Sequence, residues 1–182
     1  VDPYLRLSVF VTPLPWLEGG FRYTDIRNRP YGPEALSGNQ SYKDKSIDLR
    51  VRLLEESALV PQVAVGWRDL GGTGLFSGEY FAASKRWGTF DVTAGLGWGY
   101  VGARGEVENP LGWVSEKFKT RPNANQFSGA TDQFGFDQWF RGPVNPFLGV
   151  VWQPGGGRFA FKAEYDANDY QSEPLRNPQD TS

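Results

Sequence analysis

The sequence predicts an all-β protein: an antiparallel up-and-down transmembrane β-barrel, with about eight strands in this chain and further strands in a larger barrel. Three observations predict it. Apolar and polar residues alternate with period two in segment after segment, the pattern of strands with one dry and one wet face. The connections alternate between short and long, as periplasmic turns and extracellular loops do in outer-membrane barrels. The composition is rich in glycine (23 residues) and aromatics (15%), while no apolar run approaches the roughly 20 residues that a membrane helix needs.

The strands follow in order. Leu5, Leu7, Val9 and Val11 alternate with Arg6, Ser8 and Phe10 until TPLP breaks the run at 12–15. Leu17, Gly19, Phe21 and Tyr23 alternate with Glu18, Gly20 and Arg22, and the polar stretch 25–41 then reads as a long extracellular loop. The third strand, from Tyr42 to Leu53, sets Ile47, Leu49, Val51 and Leu53 against Asp48, Arg50 and Arg52. EESALVP leads into Val63, Val65 and Trp67, which alternate with Gln62, Ala64 and Arg68. The glycine loop DLGGTG at 69–74 precedes a fifth strand, LFSGEYFAASK. After the tight turn Arg86-Trp87-Gly88, a sixth strand is expected to run unbroken from Thr89 to Ala103. It carries Phe90, Val92, Ala94, Leu96, Trp98 and Tyr100 on one face, and Asp91, Thr93, Gly95, Gly97 and Gly99 on the other. A second long polar loop spans 104–141. NPFLGVVWQ and RFAFKAEYD then form a hairpin across PGGG. The whole chain, 1–182, reads as one β-barrel domain or a fragment of one.

Composition excludes several functions. With no cysteine, methionine or histidine, the chain lacks disulfides, thiol nucleophiles, and histidine-based triads or metal sites. A net charge of −2 offers no basic excess for nucleic acid. No cofactor or metal is expected. The missing initiator methionine and signal peptide imply a mature chain or an excised piece. GGTG and PGGG lack the lysine and following helix of a phosphate loop and read as turns.

The two faces carry the functional reading. Trp16, Tyr23, Tyr42, Trp67, Tyr80, Trp87, Trp98, Tyr100, Trp152 and Tyr165 fall at or near strand ends, where an aromatic girdle would sit. The opposite face is expected to line a lumen with Arg6, Glu18, Arg22, Asp48, Arg50, Arg52, Arg68, Glu79, Asp91, Lys162 and Glu164. Buried unpaired, such charges would cost several kcal/mol each, so they must be paired or hydrated. Arginine also offers a planar fork to carboxylates and sugar hydroxyls. Gly95, Gly97 and Gly99 leave room for a plug, a neighbouring strand or a glycan to approach the wall. Two other classes remain in view. A soluble periplasmic or secreted β-sandwich that binds carbohydrate would bury the apolar faces between two sheets. A glycan-processing enzyme could set Glu79 and Asp91 across a hairpin, although no catalytic motif supports it. The expectation is a protein that is not an enzyme.

The strings WLEGGFRYTDIRNRPYG, SYKDKSIDLRVRLLEES, PQVAVGWRDLGGTGLFSGEYFAASKRWGTFDVTAGLGWG and FKAEYD resemble the N-terminal barrel region of YjbH-type proteins. The likeness runs from about Trp16 to Tyr170, and its most specific block is GWRDLGGTGLFSGEYFAASKRWG at 66–88. The resemblance implies a bacterial outer-membrane protein, commonly a lipoprotein, with a role in producing or exporting an extracellular polysaccharide. Its implied partners are outer-membrane lipid, polysaccharide and other exopolysaccharide-secretion proteins. Members of this family are considerably longer than this chain. The lipid-bearing cysteine of a lipoprotein is absent here, as an excised fragment would explain. The resemblance transfers no catalytic residue.

Overall fold

The computed structural model describes residues 4–122, 136–155 and 158–170. They form a single eight-stranded sheet in which each strand pairs antiparallel with its sequence neighbours. The strands are β1 (Tyr4–Leu14), β2 (Leu17–Pro30), β3 (Ser41–Leu54), β4 (Gln62–Gly72), β5 (Gly78–Trp87), β6 (Phe90–Gly99), β7 (Val144–Trp152) and β8 (Phe161–Tyr165). The all-β, up-and-down reading of the sequence is thus observed, as a curled half-barrel. No second sheet covers it among the described residues, so the two-sheet packing of a β-sandwich is not seen there. β2 and β3 have 14 residues each, and β1 and β4 have 11. Soluble strands average about 5–6 residues, whereas a tilted strand needs about 9–11 to cross a bilayer.

The register separates the residues cleanly into two faces. One cross-strand row reads Leu17, Val51, Val65, Phe81, Leu96 and Pro146, and another reads Trp87, Phe90, Trp152 and Phe161. The opposite face reads Gly20 beside Asp48, Glu18 beside Arg50, Gly66 beside Tyr80, and Gly149 beside Glu164. This polar face is the concave one. Tyr4 at the start of β1 meets the ring of Phe76 at 6.4 Å, and Phe76 meets Tyr100, beyond β6, at 5.1 Å. Ile26 completes that small buried cluster, with Tyr42 and Leu75 packed against it. The cluster fills the concave side at the end of the sheet that carries the connections 31–40, 73–77, 100–122 and 136–143.

Several features depart from the sequence expectation, among them the start of β5 at Gly78 rather than Leu75 and the continuation of β1 through Thr12–Leu14. The first long connection is 31–40, not 25–41, because Asp25, Ile26 and Pro30 pair with Lys43, Tyr42 and Ser41 and carry β2 further. That loop contains one helical turn, α1 (Glu34–Ser37). β6 stops at Gly99, whose φ of +59° only glycine adopts readily. The chain then turns inward as the 3-10 turn Tyr100–Gly102, so Tyr100 joins the concave cluster and leaves the apolar row. The described part of 104–141 contains 3-10 turns at Pro110–Trp113, Glu116–Phe118 and Phe136–Gln138. Residues 123–135 of that predicted loop lie outside the described residues.

The two faces meet different surroundings. Large apolar side chains on the convex face stand uncovered: Leu7 is 62% exposed, Val11 60% and Ile47 51%. Near the turns at 15–16 and 88–89 and the described residues 153–155 and 158–160, Trp16, Trp87, Phe90, Trp152 and Phe161 are exposed as well. Phe90 and Trp152 stack at 5.9 Å with 9° between their planes, and Phe161 lies 5.5 Å from Trp152.

Candidate functional site: the charged concave face

Of the predicted lumen residues, the structure gathers Arg22, Asp48, Arg50 and Arg68 around one concave cavity of about 360 Å³. Asp48 organises it. Its Oδ2 accepts from Arg22 Nη2 at 2.5 Å and from Nε at 3.2 Å. Its Oδ1 accepts from the backbone N–H of Asp69 at 3.0 Å. That second bond holds an irregularity in the β3–β4 ladder between Ile47 and Leu49, where Asp69 takes a left-handed φ of +54°. Such bulges bend a strand and re-aim its side chains. Beside it, Arg68 lays its guanidinium 4.9 Å from the centre of the Tyr100 ring. Arg50 pairs with Glu18 at 2.8 Å on the same wall.

Two rings shape the cavity because two glycines admit them. Phe10 lies over Gly20 and Tyr80 over Gly66, so close that a Cβ on Gly20 would stand 2.5 Å from Phe10 and one on Gly66 2.2 Å from Tyr80. Aromatic rings lying over cross-strand glycines are a known device for filling a strand's bare surface. The sequence signal was present, since a ring and a glycine occupy adjacent inward positions. The alternation reading nevertheless assigned Tyr80 to the girdle and left Phe10 without a role.

A second concave cavity, of about 490 Å³, lies between β5 and β8. Asp91 and Glu164 line it, together with Asp166, Thr93 and Phe147. Tyr80 and Val101 border both cavities. The glycine row of β6 serves this interior. Phe147 lies against Gly95, and Val101 and Gly102 fold down on Gly97. The room left by those glycines is therefore taken by the protein itself.

The remaining predicted residues separate. Arg52 stands near the turns, 3.8 Å from Glu55. Lys162 is exposed on the concave face of β8, opposite Val151. Glu79 is a correction: it pairs with Trp98 and Trp67 in the ladders and therefore belongs to the convex face. Asp91 pairs with Arg86 on the concave face, so Glu79 and Asp91 lie on opposite sides of the sheet. The hairpin arrangement of a glycosidase pair is not formed. Glu79 is instead capped by the long loop, with Arg121 gripping both its carboxylate oxygens at 2.8 and 3.0 Å. The N–H of Phe140 donates to the same carboxylate at 2.9 Å. Around this pair Phe140 packs on Phe81 and Trp98, and Trp139 on Trp67. Trp67 and Trp98 are thus covered by protein rather than placed in an open girdle.

The other charge on the convex row of β5 is handled in the same manner. Lys85 reaches the connection after β3, pairing with Glu56 at 3.2 Å and donating to the carbonyl of Ser57. The N–H of Arg86 donates to Glu56, and this bond with Lys85 holds the Glu56 carboxyl below its ordinary range. Among the described residues, no group of three or more His, Cys, Asp or Glu gathers as a metal site.

Fold and site together define an antiparallel half-barrel with an uncovered apolar outside and a paired, charged inside. The chain belongs to the YjbH family: the family model described as "Exopolysaccharide biosynthesis protein YbjH" matches residues 1–182. The chain is similar to "Uncharacterized lipoprotein YjbH" of Escherichia coli (strain K12), at 50% identity over 173 residues. The match covers 94% of this chain and 24% of that relative, so the chain spans about a quarter of its length. No solved structure matches the chain.

Proposed function

We propose that this chain is a wall of an outer-membrane β-barrel that serves exopolysaccharide production or export, with lipid on its convex face and polysaccharide on its charged concave face. The carrying observation is the uncovered apolar convex surface, on which Leu5, Leu7, Val9, Val11, Phe21 and Ile47 stand together and all about half exposed or more. Contiguous apolar patches beyond a few hundred Å² are rare on soluble monomers and mark contact with membrane or protein. The only convex charges in the β5 row, Glu79 and Lys85, are each covered and paired by a loop, as a lipid-facing row requires. The family and the lipoprotein relative support a place at a bacterial membrane and a role with exopolysaccharide. Other exopolysaccharide-secretion proteins are the expected partners.

The proposed role is non-enzymatic. The concave face offers saccharides ring faces at Phe10 and Tyr80, and forked donors at Arg50 and Arg68. At the loop end, the Tyr4, Ile26, Phe76 and Tyr100 cluster closes over the concave side. These strands therefore fit a binding wall better than a bare conduit. Replacing Arg50 and Arg52 together with glutamine tests the role. Reduced polymer secretion with normal membrane insertion is expected, and unchanged secretion would contradict it.

A further inference from the structure

The cavity lined by β1 to β5 carries an unbalanced charge. Its lining holds three guanidiniums, Arg22, Arg50 and Arg68, and two carboxylates, Glu18 and Asp48. Arg22 takes Asp48 at 2.5 Å and Arg50 takes Glu18 at 2.8 Å. Arg68 has no salt bridge, and its buried Nε has no hydrogen-bond partner among the described residues. It lies over the face of Tyr100 and feels the Asp48 carboxylate, but that carboxylate is already taken by Arg22. A half-buried cation left so is favoured by an anion that completes it. Arg68 keeps its place in the β4–β5 ladder opposite Gly78 and lines the cavity beside the β3–β4 bulge that the Asp48–Asp69 hydrogen bond holds.

The rest of the cavity suits a sugar. Phe10 and Tyr80 lie against the wall over Gly20 and Gly66, and such ring faces stack on the apolar faces of pyranoses. A volume of about 360 Å³ falls in the range of small-ligand pockets. We infer that this cavity binds one residue of a saccharide bearing an anionic substituent, carboxylate or phosphate, with Arg68 as the guanidinium that receives the charge. The inference rests on the proposed role of the concave face and adds the chemical class of the ligand. Arg22 and Arg50 contribute less to charge recognition, because each is already committed to a carboxylate.

The experiment is calorimetric titration of the intact protein in detergent micelles, with tetragalacturonate, maltotetraose and inorganic phosphate as separate probes. Tetragalacturonate is expected to bind and maltotetraose to bind much more weakly. Phosphate is expected to compete with the uronate. Arg68→Gln is expected to weaken uronate binding on the order of tenfold to a hundredfold, the range for a lost charged hydrogen bond. Lys119→Gln, at an exposed loop pair outside the cavity lining, should leave it unchanged. If Arg68→Gln does not fold, as judged by heat-modifiable migration, Arg68→Lys decides. It keeps the charge but loses the fork, and is expected to bind uronate measurably less tightly than the parent. Equal affinity for the neutral and acidic oligosaccharides would overturn the inference, as would no uronate binding or unchanged binding in the Arg68 variants. Phosphate binding as tightly as the uronate would overturn its saccharide part. A protein that sits in the outer membrane and supports polymer secretion, yet ignores the uronate, would fail this inference alone.

Discussion

The two convex charges of β5 and the Arg50–Glu18 pair of the concave cavity are held very differently. Glu79 is 1% exposed and Arg121 clamps both its oxygens, while Phe140 and Trp139 seal the surrounding rings. Arg50 and Glu18 form a single contact at 2.8 Å with the arginine side chain 47% exposed. In the β5 row charge stands only where a loop pairs and covers it, and the exposed convex charges Lys43 and Lys45 lie at the loop end of β3, whereas the concave Arg50–Glu18 pair is left partly free. That contrast is what lipid on one side and water or glycan on the other would impose. A soluble surface would have no reason to hide Glu79 and Lys85 while leaving Leu7 and Val11 bare.

The largest expected effect comes from breaking the clamp. Arg121→Ala leaves Glu79 buried without its counter-charge, and removing one partner of such a pair costs about 3–5 kcal/mol. Urea unfolding in micelles should show this loss, and Arg121→Ala with Glu79→Gln together should recover much of it. A charge on the bare convex rows comes next. Val9→Arg or Ile47→Arg is expected to cost about 2–4 kcal/mol near the bilayer midplane. The corresponding arginine on the concave face, at Ser8, should cost far less, and insertion into outer-membrane lipid vesicles reads the difference. Gly66→Ala pushes its methyl into Tyr80 and should cost about 1–3 kcal/mol by overpacking, while Gly19→Ala on the convex side, with open space around it, should be mild. The same unfolding assay compares them.

The smallest effects belong to the exposed pairs. Arg50→Gln should cost at most about 1 kcal/mol in stability, as exposed ion pairs do. At the turn end, the folded state holds the Glu56 carboxyl below its ordinary value of 4.5 through the Arg86 N–H and Lys85. A depressed value means that this contribution is present above the ordinary range and is lost as the pH falls through the folded-state value. Hydrogen exchange at the Arg86 amide should therefore lose its protection in acid, and Glu56→Gln should remove that pH dependence.

Alternation made β1, β2 and β3 legible in the sequence, since each presents an apolar row on one parity and mostly polar residues or glycine on the other, while β7 is legible from its hairpin with β8 across PGGG. It also placed Arg22, Asp48, Arg50 and Arg68 on one face, where the structure gathers them. β5 misled because its apolar parity carries Glu79 and Lys85, and the partners that make this tolerable come from loops remote in sequence. No local pattern records Arg121 or Ser57 as their cover. The end of β6 was hidden for another reason. Tyr100 continues the alternation perfectly, and only the left-handed backbone at Gly99 turns it inward. The bulge at Asp69 likewise follows from a hydrogen bond across strands, not from composition.

The central claim is that β3 divides lipid from an aqueous interior, and the cysteine-free chain allows a direct test. Single substitutions Ile47→Cys, Val51→Cys, Arg50→Cys and Arg52→Cys are made in the intact protein and exposed to a water-soluble maleimide in outer-membrane vesicles. The account predicts labelling at Arg50→Cys and Arg52→Cys and protection at Ile47→Cys and Val51→Cys, with protection lost on detergent denaturation. Equal labelling of all four positions in the intact membrane would contradict it.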